Sequence, residues 1–170
     1  IDGEQANAKN QVKNRLRFQS FDDSFVPQEQ YAYLMDAAES HPSVSNYAMG
    51  VSAMAALDDG KLLVLEREFL VTSSKIGSFV ENKIYCVDPA QSISISQEKE
   101  LDTDSPYMQK TLIAAWKTSL GLLRQNLANY EGMCLGPRLA DGSQVIVLCA
   151  DSQDQYGGVL RDWFRTIIIR

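Results

Sequence analysis

Histidine is nearly missing from this chain: one residue in 170, His41, in a His-Pro pair. No GxSxG segment is present either, and Ser52 in GVSAM has no such context, so a serine nucleophile activated by histidine has no support. A residue before proline avoids the helical region, so His41 reads as a surface loop residue. Cysteine is scarce. Cys86, Cys134 and Cys149 lack CxxC or Cys/His spacing, which excludes a zinc site of ordinary pattern. They read as buried free thiols packing as small hydrophobes, and a Cys134–Cys149 disulfide requires the two to be directly opposed in a hairpin. A basic excess is missing as well: 16 Lys and Arg stand against 22 Asp and Glu, a net charge of −6. That argues against a nucleic-acid surface. No apolar run approaches the roughly 20 residues that span a bilayer. The first residues, IDGEQANAKNQVKN, hold neither an initiator Met nor the apolar core of a signal peptide, so the chain reads as a processed product or a piece of a longer one.

What is present is apolar sequence in short runs. The apolar fraction of 45% can build a core for one ordinary domain. Residues 129–151, NYEGMCLGPRLADGSQVIVLCAD, read as two apolar strands joined by a tight turn at Asp141-Gly142, a pair that readily supplies positive φ. Residues 51–67, VSAMAALDDGKLLVLER, repeat the plan, with a methionine near the start and an Asp59-Gly60 turn. The two turns lie 82 residues apart, from Asp59 to Asp141. That is about two periods of the roughly 40 to 45 residues of a four-stranded propeller blade. Such a repeat points to stacked or radially arranged β-units.

The remainder reads in the same way. Residues 1–14 are polar and aperiodic, a loop-like lead-in. RLRFQSF from Arg15 alternates as a strand and is followed by the turn formers Asp22-Asp23-Ser24. Residues 28–38 fit two readings, a helical stripe of Tyr31, Leu34, Met35 and Ala38 after Pro27 or a strand alternating at Tyr31 and Tyr33, with the strand favoured for 30–34; 51–68 read as the first hairpin and 71–77 as a polar loop. Residues 79–87 and the strictly alternating SISIS at 92–96 read as strands. One helix is expected: Ser105-Pro106 offers an N-cap and first-turn proline, and Leu112, Trp116, Leu120, Leu123 and Leu127 recur at three or four. A loop at 152–158 and a last strand at 163–169 complete the chain, and that strand needs a partner for its edge.

Three segments carry a resemblance. GVSAMAALDDGKLLVLEREF (50–69) and NYEGMCLGPRLADGSQVIVLCAD (129–151) are similar to the two signature blocks of the phytase-like, "esterase-like activity of phytase" family. RLRFQSF…QYAYLMD (15–36) resembles the strand pair that precedes them. The first block matches G-[IV]-S-x-[LM] leading to LLVLER, and the second matches N-[FIY]-E-G-[ML]. The resemblance implies an all-β, β-propeller-like fold, part of a six- or seven-bladed propeller, to which the residues add one short helix. It makes residues 15–170 the C-terminal half of such a domain and implies an exported, periplasmic or secreted bacterial protein. The partner is then the missing N-terminal half or a second copy. The family's SDxNF end departs here: Ala150-Asp151-Ser152-Gln153-Asp154 keeps the aspartate and loses the asparagine and the aromatic.

The carboxylates are the first candidates for chemistry. Glu131 stands at the entrance to a strand, and Glu66, Glu68 and Asp151 end strands of the repeated hairpins. If blades are radial, Glu66, Glu131 and Asp151 converge as oxygen ligands, a set that suits calcium. Glu131 and Arg67 are the catalytic candidates, with Arg67, between two glutamates, steadying the phosphate of a small phosphorylated substrate; Lys75, Arg124 and Arg138 are further cations of surface type. The bland alternative is that these carboxylates cap turns or pair with Arg67 and Arg138. Two functions are weighed: a calcium-assisted phosphoester hydrolase, and a non-catalytic propeller scaffold binding a glycan, peptide or protein.

Overall fold

The computed structural model describes residues 6–7, 14–38, 46–96, 100–123, 125–152, 158 and 160–170. The strands among them are β1 (Ala6–Asn7), β2 (Arg15–Phe21), β3 (Pro27–Leu34), β4 (Asn46–Ala56), β5 (Leu62–Val71), β6 (Ser78–Val87), β7 (Lys110–Leu120), β8 (Tyr130–Arg138), β9 (Gln144–Ala150) and β10 (Phe164–Ile169). They form three sheets, ordered β1-β4-β5-β6-β7, β10-β9-β8 and β2-β3. Every strand pairing is antiparallel, and a 3₁₀ turn spans Pro89–Gln91.

The two expected Asp-Gly hairpins are β4–β5 and β8–β9, and their turns are copies of each other. Leu57 N–H donates to Lys61 O at 2.8 Å and Gly60 N–H to Leu57 O at 3.0 Å; Leu139 N–H donates to Ser143 O at 2.8 Å and Gly142 N–H to Leu139 O at 2.9 Å. Asp59 and Asp141 each accept from the amide two residues on, at 3.2 and 3.0 Å. Only the glycine of each pair takes a positive φ, +83° at Gly60 and +87° at Gly142, where a Cβ is costly.

β5 is the middle of the molecule. Successive side chains of a strand point to opposite faces. On one face Leu62, Val64 and Leu70 pack with Phe18 and Tyr33 of the β2–β3 hairpin. On the other, Leu63 and Leu65 pack with Ile146 and Leu148 of β9. A strand covered on both sides reads as a near-continuous apolar run, which is what LLVLEREFLV is apart from its charged centre. That centre, Glu66-Arg67-Glu68, is buried too.

Three expectations are corrected. No helix follows Ser105-Pro106; the segment is β7, the edge strand beside β6. Leu112, Trp116 and Leu120 recur at four, and four is a multiple of the strand period as well as close to a helical turn. An extra residue, Ile113, lies between the paired Leu112 and Ala114 and blurs the alternation further. SISIS forms no strand: Ser94 makes an isolated bridge to Tyr31, Ile95 N–H donates to Gln30 O at 2.8 Å, and Ile93 is exposed. Cys134 and Cys149 are free but exposed, not buried, because both lie on the face of the β8–β10 sheet turned away from β5. The polar lead-in falls mostly outside the described residues, although Ala6–Asn7 pair with Ala48 and Met49 of β4.

Candidate functional site

The Leu-Glu-Arg end of the first block and the Asn-Tyr-Glu-Gly start of the second meet in space. Tyr130 pairs with Ala150 and Gly132 with Cys149, so Glu131 is the extra residue of a β-bulge. A bulge re-aims a side chain, and this one turns Glu131 toward β5. Arg67 Nη1 donates to Asn129 Oδ1 at 2.6 Å and to Glu131 Oε1, and Asn129 Nδ2 donates to that same Oε1 at 2.8 Å. The glycine after Glu131 is a steric need: a Cβ on Gly132 would stand 2.4 Å from Cys149 Sγ. β4 carries a matching bulge at Ser52, between the pairs Val51–Glu66 and Ala53–Leu65, and Ser52 Oγ donates to Tyr130 O at 3.2 Å. Ser52 and Glu131 each stand two residues before a methionine, Met54 and Met133, so the repeat places its two bulges side by side.

Burial divides the triad. Arg67 and Asn129 are 9% and 1% exposed, whereas the Glu131 side chain keeps 32% of its surface. One oxygen of Glu131, Oε1, is locked by two donors. The other, Oε2, has no partner among the described residues.

The opposite face of β5 holds a second charged group. Glu66 Oε1 accepts from Tyr33 OH at 2.6 Å and Lys110 Nζ at 2.7 Å, and its Oε2 accepts from the Asp36 amide at 3.0 Å. Lys110 also donates to Asp36 Oδ1 at 2.7 Å, while Lys83 and Tyr85 donate to Asp36 Oδ2 at 2.8 and 2.6 Å. Lys110 Nζ lies 4.1 Å from the centre of the Tyr85 ring, a cation–π contact. Burial first, and then the neighbouring carboxylates, push both Tyr33 and Tyr85 well above the usual tyrosine range, so both remain donors. Glu68 accepts from Tyr47 OH at 3.1 Å. The cavity beside this group, ≈ 10 Å³, has room for about one water. A larger cleft of ≈ 350 Å³ lies at the two Asp-Gly turns, lined by Asp58, Asp59, Arg138 and Arg170 among others.

Asp36 gives this cluster a pH signature. Burial alone would raise its carboxyl, but hydrogen bonds from Lys110, Lys83 and Tyr85 outweigh it and hold the group below the usual carboxylate range. Its contribution is therefore complete above the unfolded value of about 4 and is lost as pH falls through the lower folded value. The protein is expected to lose stability steadily below about pH 4, and Asp36→Asn is expected to flatten that part of a urea-midpoint profile. An unchanged acid limb in Asp36→Asn would mean that other carboxylates govern it.

A family model, Phytase-like, "Esterase-like activity of phytase", matches residues 2–153 and so spans both blocks and the site between them. The chain belongs to the Phytase-like family. Neither the curated proteins nor the solved structures compared with it gave a match.

In this Phytase-like chain the sequence-derived candidates are not all brought together. Arg67 and Glu131 touch. Asp151 joins them through the backbone, its N–H donating to Asn129 O at 2.9 Å. Glu66 does not join them, since it precedes Arg67 in β5 and faces the β2–β3 hairpin. Both oxygens of Glu66 are occupied by protein donors, and Oε1 of Glu131 is held by two more. No group of three or more Asp, Glu, His or Cys suited to a metal occurs among the described residues. Glu66, Glu131 and Asp151 therefore do not fit one calcium ion as they stand. Lys75 is exposed and Arg138 is bound to Asp58 at 2.7 Å, the surface roles expected of them. His41, Arg124 and the Gln153-Asp154 remnant lie outside the described residues.

Asn129, Asp36, Lys83 and Lys110 are the partners that sequence reasoning missed. Asn129 opens the quoted NYEG block and was within reach. Lys110 was hidden by the helical reading of β7.

Proposed function

We propose that this Phytase-like protein is a phosphoester hydrolase whose reaction centre is the Arg67–Asn129–Glu131 triad. One observation carries the reading: Glu131 sits on a bulge with Oε1 fixed by Arg67 and Asn129 and with Oε2 in a side chain that keeps 32% of its surface. A carboxylate so held can take a proton from water with its outer oxygen, as general-base catalysis requires. The Arg67 guanidinium offers charge stabilisation to a phosphoryl group approaching Glu131. The family supports the reaction class, and small phosphorylated molecules are the substrate class proposed for it.

The reading extends to the architecture. The antiparallel run β4-β5-β6-β7 has the make-up of one four-stranded blade, and Ser52 of its first strand touches Tyr130, the first residue of the next sheet, as inner strands of neighbouring blades do. The protein is proposed to be half of an exported propeller. Calcium at Glu131 would compete with Arg67 for the carboxylate; a melting temperature that rises with added calcium and no longer rises in Glu131→Ala would assign it there.

Inorganic phosphate release from a panel of phosphomonoesters tests the reaction. Turnover is expected with the unaltered protein, with a fall of about 100-fold in kcat for Glu131→Gln. If no phosphate appears, or if Glu131→Gln keeps full turnover, the non-catalytic scaffold that binds a glycan, peptide or protein becomes the reading.

A further inference from the structure

Across the face of the five-stranded sheet that meets β8–β10, Arg67, Asn82 and Trp116 are cross-strand partners in one lateral row: Arg67 pairs with Asn82, and Asn82 with Trp116. The next row on one side is Leu65, Ile84 and Ala114, and on the other Phe69, Val80 and Thr118. The polar row thus lies in a largely apolar layer. Each of its members has a buried polar atom without a hydrogen-bond partner among the described residues: Arg67 Nε, Asn82 Oδ1 and Trp116 Nε1. Asn82 is 0% and Arg67 9% exposed. Three orphaned groups in a row, ordered donor, acceptor, donor, are not a native arrangement unless something shared satisfies them.

We infer that the row is a buried water-binding site, with one ordered water on each side of Asn82. The first accepts from Arg67 Nε–H and donates to Asn82 Oδ1. The second accepts from Trp116 Nε1–H and donates to the other lone pair of that oxygen. Water is the ligand that both accepts and donates at this size, an amide oxygen takes two such bonds, and cross-strand partners have Cα atoms about 5 Å apart, which lets neighbouring side chains of one row share a water. An anion is disfavoured, since it would face the Asn82 acceptor. The consequence reaches the triad. Nη1 of Arg67 is fixed by Asn129 and Glu131, and the water fixes its Nε, so Asn82 is a positioning residue for the guanidinium that holds Glu131.

The site is read without any substrate, so its test stands apart from the proposed hydrolysis. In the unaltered protein the Trp116 indole N–H resonance, assigned by its loss in Trp116→Phe, is expected to show a cross-peak to water with opposite signs in NOE and ROE spectra, the mark of a long-lived bound water. A second measurement uses Trp163→Phe, which leaves Trp116 as the remaining tryptophan. Its emission is expected to shift to the blue when Asn82→Leu is added, as the indole loses its water. The inference is overturned by the absence of any indole–water cross-peak, or by one with the same sign in both spectra, which reports exchange alone. An emission maximum unmoved by Asn82→Leu in a cooperatively folded variant would overturn it too.

Discussion

Lys110→Met is expected to lower the unfolding free energy by about 3 kcal/mol, near the low end of the roughly 3 to 5 kcal/mol for breaking a buried ion pair. The low end applies because the Lys110 side chain keeps 19% of its surface and Asp36 keeps 29%, whereas Glu66 keeps 3%. Methionine preserves much of the stem packed on Tyr85 and removes the charge that two carboxylates share. Glu66 is then left with Tyr33 OH and one amide for a full negative charge. For a chain of this length the melting temperature should fall by roughly 6 to 12 °C. Adding Glu66→Gln should recover part of the loss, since the stranded charge is gone. A fall below about 1 kcal/mol for Lys110→Met would mean that the pair is hydrated and acts as a surface pair.

Arg67→Met is expected to act on both stability and reaction. Removing the guanidinium leaves Asn129 Oδ1 buried without its donor and leaves Glu131 Oε1 with one donor in place of two. The cost should be about 2 to 3 kcal/mol, moderated by the part-exposed Glu131, which water can reach. Phosphate release should fall by about 100-fold in kcat, the scale for losing one donor to a developing charge. Urea unfolding and turnover of one phosphomonoester separate the two effects. Arg67→Lys keeps a charge and loses the planar guanidinium, so it should keep most of the stability and little of the turnover.

These two residues show how far the sequence can be read. The Asp-Gly pairs fixed both hairpins, because a tight turn between apolar runs is a local matter and its signal lies within five residues. The residues alone point to the Arg67–Glu131 contact only as a bland pairing, since a separation of 64 positions hides the β-bulge that turns Glu131 inward. A bulge is one unpaired residue, and nothing in NYEGM marks which strand position it takes. Charge and motif alone group Glu66 with Glu131. Strand alternation, applied to the consecutive pair Glu66-Arg67, was enough to put them on opposite faces of β5. The helix expected after Ser105-Pro106 failed for a different reason: a spacing of four satisfies both periods, and packing beside β6 decided between them. With β7 taken for a helix, Lys110 could not be placed beside Glu66 and Asp36.

The most direct measurement is a double-mutant cycle on Arg67→Met and Glu131→Gln, followed both in urea unfolding and in phosphate release. If the two blocks act as one unit, the double variant should be destabilised by at least about 1 kcal/mol less than the sum of the singles, and it should be no slower than the slower single. Stability losses that add within about 0.5 kcal/mol, together with multiplying losses of turnover, would contradict a joint centre at Arg67, Asn129 and Glu131.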